Sequence, residues 1–269
     1  MRVIRTLAAL LAFACIGVTL AGTTSASAGT PRPTPGYWLL GADGGVFSFN
    51  APFYGSGAVG TLHPGASGPC TFTPQPPSTL DGRFGCVGIA STPTGSGYWL
   101  LNAYRWVFAF GQAGQPAQTG CTSLNGAMGS WAGIASSPSG NGFFLASSDG
   151  HVVGCGDAGP FVGVTSETLN APIVGIAATL DGKGYWLVSS DGGVFSFGDA
   201  TYVGSMGGMR LAAPVAGMAA TPDGKGYWLT AADGGVFSFG SAPFEGSMGG
   251  TAMNAPVVGI ATFGSSSPG

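Results

Sequence analysis

The chain has 269 residues, of which only 7% are charged and 51 are glycine, and its formal net charge is −3. So few charges exclude a fold built on charged helix surfaces. Eight Lys and Arg against eleven Asp and Glu exclude the basic patch that nucleic acid or an anionic membrane requires.

Residues 1–28 read as a secretory signal peptide. Arg2 and Arg5 precede an apolar run over residues 7–20, and Ala26-Ser27-Ala28 forms an A-x-A-type cleavage site. The run is too short, and too soon followed by Gly, Thr and Ser, to span a bilayer. Ala12-Phe13-Ala14 before Cys15 is a poor lipoprotein site, so no lipid anchor is expected. Cleavage leaves 241 residues and, with Arg2 and Arg5 gone, takes the net charge from −3 to −5. The mature chain is expected to be soluble and secreted to the extracellular space, with or without association with the cell wall, and with no membrane insertion. Residues 29–35 are a short linker.

From residue 36 the chain repeats itself. Gly-Tyr-Trp-Leu starts at Gly36, Gly97, Gly184 and Gly226, with a worn copy at Gly142-Phe143-Phe144-Leu145, making five units. We term this run strand b. A second apolar run, strand c, follows a turn, most clearly as DGGVFSF from Asp43, Asp191 and Asp233. A small, apolar run, strand a, precedes four of the copies, at residues 87–92, 131–136, 174–179 and 215–221. A weaker run, strand d, occupies residues 52–55, 160–164, 201–204 and 243–246. These runs are short, rich in β-branched and aromatic residues, and bounded by Gly, Asp and Pro. Asp-Gly between b and c is a hairpin signal. Four antiparallel strands in about 42 residues match a propeller blade.

The first unit lacks strand a, and residues 257–262 (VVGIAT) are an orphan copy of it. In a closed ring the orphan completes the first blade and leaves no sheet edge unpaired there. The sequence therefore predicts an all-β, five-bladed β-propeller over residues 36–264, closed by its C-terminal strand, with 265–269 as a flexible tail.

The motifs GYWLxxxDGGVFSFGDAxYxGS and APIVGIAATxDGKGYWL resemble a tandem repeat of secreted proteins in high-GC Gram-positive bacteria. The resemblance covers nearly all of the mature chain, most specifically units 4 and 5. It implies a propeller fold and export, sometimes beside cell-wall-acting modules, and carries no catalytic residue.

The chemistry-bearing residues are sparse. A glycosidase needs a carboxylate pair, but the a strands, which line a propeller axis, hold no Asp or Glu. Most carboxylates recur at turns instead: Asp43, Asp149, Asp191 and Asp233 between b and c, Asp181 and Asp223 between a and b, Asp157 and Asp199 after c. Repetition marks them as shaping turns through Asx-type hydrogen bonds. The only histidines are His63 and His151, and no G-x-S-x-G elbow joins a strand to a helix. No metal, no cofactor and no enzymatic activity are expected; a glycoside or ester hydrolase ranks last. The repeated Tyr, Trp and Phe are read as packing between blades, at about 1.5–3 kcal/mol for each large apolar side chain fully buried.

Departures from the repeat gather in units 2 and 3. The link after unit 1 swells over residues 57–84 and carries Arg83 and Cys70. The unit 2 hairpin replaces Asp-Gly-Gly with Tyr104-Arg105-Trp106, the next link holds Cys121, and His151 stands where unit 3 should have Gly. Strand alternation places the b-to-c turns and the d-to-a links on one face. Tyr104, Arg105, Trp106, His151 and Arg83 are therefore a candidate patch for ligand binding, since planar aromatics stack on sugars or side chains and Arg offers a fork of donors. Four cysteines in an exported chain point to disulfides. Cys70–Cys86 is the local pair. Cys121–Cys155 follows by elimination, against the objection that Cys155 aligns with Phe197 at the far end of strand c, while bridged Cα atoms must lie within about 7 Å. The expected protein is a monomeric, secreted, non-catalytic module binding a cell-wall glycan or other extracellular carbohydrate; the alternative is an extracellular protein-interaction scaffold or adhesin.

Overall fold

The computed structural model describes residues 35–57, 85–103, 106–114, 129–159, 163–164 and 169–263. The expected leader, the linker up to residue 34 and the tail lie outside the described residues, as do Cys70, Arg83, Tyr104, Arg105 and Cys121.

The described chain is all-β. Unit 1 supplies β1 (Gly36–Gly41) and β2 (Val46–Phe49). Unit 2 supplies β3 (Cys86–Ser91), β4 (Gly97–Asn102) and β5 (Val107–Gly111), and unit 3 β6 (Trp131–Ser136), β7 (Phe143–Ser147) and β8 (Val152–Cys155). Unit 4 gives β9 (Ile173–Ala178), β10 (Tyr185–Ser189) and β11 (Val194–Phe197). Unit 5 gives β12 (Val215–Ala220), β13 (Gly226–Ala231) and β14 (Val236–Gly240), and β15 (Val257–Phe263) ends the series. They form five three-stranded antiparallel sheets, each with strand b in the middle. The orphan β15 pairs with β1, setting Thr262 opposite Tyr37 and Ile260 opposite Leu39.

Strand b is buried on both faces, which explains why it reads as a continuous apolar run rather than an alternating one. Every Tyr and Trp of the four full copies is at most 2% exposed. Their rings fill the space between neighbouring sheets. Trp38 and Leu40 of unit 1 pack with Tyr98 and Leu100 of unit 2, and Trp99 packs with Phe143 and Leu145 of unit 3. Phe144 packs with Tyr185 and Leu187 of unit 4, Trp186 with Tyr227 and Leu229 of unit 5, and Trp228 with Tyr37 and Leu39 of unit 1.

The a strands approach one another through glycine. In each, a bulge sets one extra residue just before a glycine, at Gly88, Gly133, Gly175, Gly217 or Gly259. A Cβ on Gly133 would lie 3.1 Å from the Cα of Gly175, one on Gly175 3.1 Å from that of Gly217, and one on Gly217 3.0 Å from that of Gly259. From Gly259 the nearest glycine Cα is Gly88 at 3.6 Å, and from Gly88 it is Gly133 at 3.4 Å. The series returns to its start, so the five glycines form a collar in which any side chain would press on a neighbour's backbone.

Strand d differs from expectation. Residues 52–55, 201–204 and 243–246 are extended but join no ladder. Two of these runs begin with Pro, which cannot donate to a ladder, and Gly55, Gly204 and Gly246 turn out of the strand at φ +133, +136 and +130. Side chains hold the runs instead. Trp38 Nε1 donates to the Pro52 carbonyl at 2.7 Å, Trp186 Nε1 to Thr201 at 2.9 Å and Trp228 Nε1 to Pro243 at 2.6 Å. The other end of each run is gripped by the next unit: the hydroxyls of Tyr98, Tyr227 and Tyr37 donate to the carbonyls of Gly55, Gly204 and Gly246. In units 1 and 5 the Tyr-Trp dipeptide thus buries two rings, its indole N–H holding the d run of its own unit and its phenol the d run of the neighbouring one. Unit 3 carries Phe143-Phe144, which have no donor to offer.

Candidate functional site

Two places depart from pure scaffolding. The first is the face carrying the b-to-c turns. In four units the turn is closed by aspartate: Asp43, Asp149, Asp191 and Asp233 Oδ1 accept from the N–H of Gly45, His151, Gly193 and Gly235 at 2.9, 3.4, 3.1 and 3.0 Å. The central glycines 44, 192 and 234 sit at φ +83, +85 and +81, where a side chain is strained. The repeated carboxylates are thereby turn-formers, as are Asp181 and Asp223, which accept from Lys183 and Lys225 N–H.

Unit 2 closes the same turn differently. Asn102 Oδ1 accepts from Trp106 N–H at 2.9 Å, and Asn102 N–H donates to the Trp106 carbonyl at 3.0 Å. Asn102 is opposite Cys86 in the ladder, and Cys86 is buried and disulfide-bonded. From this mount Trp106 stands 61% exposed. Cys155 is likewise buried and disulfide-bonded; the cysteines expected to pair with the two lie outside the described residues.

His151 is on the neighbouring unit's turn, partly exposed, with Nδ1 3.1 Å from Asp149 Oδ1. Partial burial alone would raise the Asp149 carboxyl. Hydrogen bonds from Ser147 and His151 outweigh it and hold the group down at about 2, so it is ionised at any ordinary pH. Of the five expected patch residues, then, the structure places Trp106 and His151 on adjacent turns of one face; Tyr104, Arg105 and Arg83 lie outside the described residues.

The second place was not anticipated from the sequence. The a strands enclose an axial cavity of about 140 Å³ on the opposite face, among the a-to-b turns. Ile89, Ile134, Ile176, Met218 and Ile260 line both it and a space of about 10 Å³ beside the glycine collar, so the axis narrows there. Among the described residues, no charged one lines it. The repeated Ile-Ala-Ser/Ala-Thr/Ser ending of strand a was its signal.

No protein-family model matches the chain, and no curated protein matches it. Among solved structures, the chain is similar to one of a nidogen/laminin complex, with a TM-score of 0.48 and 11% identity over 85% of this chain and 98% of the other.

Proposed function

We propose that this is an exported, monomeric five-bladed β-propeller of the secreted tandem-repeat type. It acts as a non-catalytic module that recognises a cell-wall or other extracellular carbohydrate through the b-to-c face of units 2 and 3. The propeller reading is supported by the cyclic order of inter-sheet cores and by the glycine collar. The binding reading is carried by one observation, the mount of Trp106. A lone exposed apolar residue is ordinary. Here, however, a tryptophan replaces the turn glycine of the repeat, stays 61% exposed, and has its backbone fixed at both polar atoms beside a disulfide-bonded strand. A flat, exposed indole on a fixed backbone is suited to stacking on the C–H face of a sugar, because the turn that presents it needs no ordering on binding.

A second reading, a protein-interaction scaffold, is favoured by a separate feature. Phe53, Tyr202 and Phe244 occupy equivalent positions in the d runs and are 57%, 56% and 61% exposed, and aromatics are enriched at protein interfaces.

Glycan arrays and a wall-polysaccharide pull-down with wild type, Trp106→Ala and a Phe53/Tyr202/Phe244→Ser triple variant test both readings. Binding lost in Trp106→Ala at unchanged melting temperature supports the sugar site. Retained glycan binding in that variant overturns it, and capture of a protein lost only in the triple variant establishes the scaffold.

A further inference from the structure

The axial cavity has a chemistry of its own. Two residues beyond each cavity-facing Ile or Met, on the same side of the strand, stand Ser91, Ser136, Ala178, Ala220 and Thr262. In the cyclic order of sheets, units 1, 2 and 3 contribute Thr262, Ser91 and Ser136, and units 4 and 5 contribute the two alanines. One arc of the wall therefore carries hydroxyls, and the opposite arc is apolar, extended by Leu180, which is 47% exposed.

The hydroxyls one residue further on are already committed. Thr92, Thr179 and Thr221 Oγ1 accept from the N–H of Gly97, Gly184 and Gly226 at 3.2, 2.9 and 2.9 Å. Ser137 Oγ accepts from Gly142 N–H at 3.0 Å and donates to Asp157 at 2.8 Å. They close the a-to-b turns. By contrast, Ser136 donates only to the carbonyl of Ser137, at 2.8 Å, and the Ser91 and Thr262 hydroxyls make no hydrogen bond among the described residues.

A cavity of roughly 150 Å³ holds one six-membered ring, and this one is of that size, neutral and two-sided. We infer that the axial cavity is a second binding site, distinct from the Trp106 face, for a single neutral pyranose residue. The ring's C–H surface lies on Ala178, Ala220 and Met218, and its hydroxyl edge meets Ser91, Ser136 and Thr262. An ionised ligand is disfavoured because no countercharge lines the site. The narrowing to a space of about 10 Å³ at Ile89, Ile134, Ile176, Met218 and Ile260 limits entry to one ring, as at the end of a glycan or a free glycoside.

Methyl glycosides of glucose, galactose and N-acetylglucosamine, with cyclohexanol as an apolar ring of similar size, are titrated into protein with isotope-labelled Ile and Met methyls. At least one glycoside should give saturable shifts at Ile89, Ile134, Ile176, Ile260 and Met218, with a Kd on the order of 1 mM for so small a ligand. A Ser91→Ala/Thr262→Val variant should weaken that glycoside about tenfold, the worth of one to two hydrogen bonds, while leaving cyclohexanol unchanged. Ala220→Trp, verified as folded by its melting curve, should abolish binding of both. Trp106→Ala should leave the titration untouched, which separates this site from the glycan-array result. The inference is overturned if no glycoside shifts those methyls saturably, if cyclohexanol binds as tightly as the best glycoside, or if Trp106→Ala removes the methyl response.

Discussion

The Tyr37 hydroxyl donates to the carbonyl of Gly246, 209 residues along the chain, and also accepts from Glu245 N–H at 3.2 Å. Tyr98 makes the corresponding bond to Gly55 within the chain's interior. If the first and last units meet in solution as the other units do, Tyr37→Phe and Tyr98→Phe should cost the same, about 1–2 kcal/mol each. Urea midpoints check this. A near-neutral Tyr37→Phe beside a costly Tyr98→Phe would mean that the ends part in solution. Removing residues 257–269 should cost far more, because it strips β1 of its partner and opens the Trp228–Tyr37 core to water.

The collar gives a sharper test of geometry. Gly217→Ala places a methyl 3.0 Å from the Gly259 Cα, and Gly175→Ala places one 3.1 Å from Gly217. The backbone of the neighbouring a strand stands in the way in both cases, joined at Gly175 by Val188 Cγ1 at 3.0 Å, so each should cost about 1–3 kcal/mol by overpacking. Among the described residues, Gly114 has nothing within 4 Å of an added Cβ, and Gly114→Ala should be close to neutral. Thermal unfolding of the three variants decides. An equal, small effect for all three would show that the a strands do not converge.

Strand identity was legible because Tyr, Trp, Val and Phe recur in short runs between Gly and Asp, and the orphan VVGIAT run lies in the ladder beside β1. The fourth strand was misjudged. Composition marks residues 52–55 and 243–246 as extended, but the indole and phenol donors that hold them come from other segments, and a residue's partner across the structure leaves no local trace. The axial cavity was hidden for a similar reason. Ser91 and Thr262 are unremarkable alone and become a wall only when five strands are brought round one axis. His151 and Trp106 were legible because each stands where the repeat has the second Gly of Asp-Gly-Gly; unit 3 still closes its turn with Asp149 onto the His151 N–H, and unit 2 closes it with Asn102 instead.

The turn carboxylates set an acid limit. Burial works to raise Asp149, but its hydrogen bonds with Ser147 and His151 dominate and hold it at about 2. Asp191 is lowered by the Ser189 hydroxyl and Gly193 N–H, and Asp157 by Ser139 and Ser137. A depressed carboxyl stabilises the folded state above its unfolded value of about 4 and loses that contribution as pH falls through the folded value. Tryptophan fluorescence should therefore hold steady down to about pH 4 and report loosening between about pH 4 and pH 2. Asp149→Asn should shrink that change. A transition complete above pH 5 would assign the acid limit to other groups.

The tyrosines set the alkaline limit, with the opposite sign. Burial pushes Tyr98 and Tyr185 up to about 12 and raises Tyr37 and Tyr227 as well. The phenols sit between sheets, where a phenolate would lose hydration, and Tyr37, Tyr98 and Tyr227 would also lose the donor that pins a d run. A raised pKa stabilises the folded state fully below the unfolded value of about 10, and the contribution drains away as pH climbs towards the folded value. The strand b tyrosines should accordingly stay protonated as long as the sheets stay packed, and ionise together with unfolding between about pH 10 and pH 12. Tyrosinate absorbance and tryptophan fluorescence followed on one sample should move in step there. Tyr185→Phe removes one proton-linked group without removing its ring, so it should make the alkaline transition less steep. Ionisation of all these tyrosines below pH 10 with fluorescence still native would show that their hydroxyls are reached by water in the folded protein, contrary to the pinning made by Tyr37, Tyr98 and Tyr227.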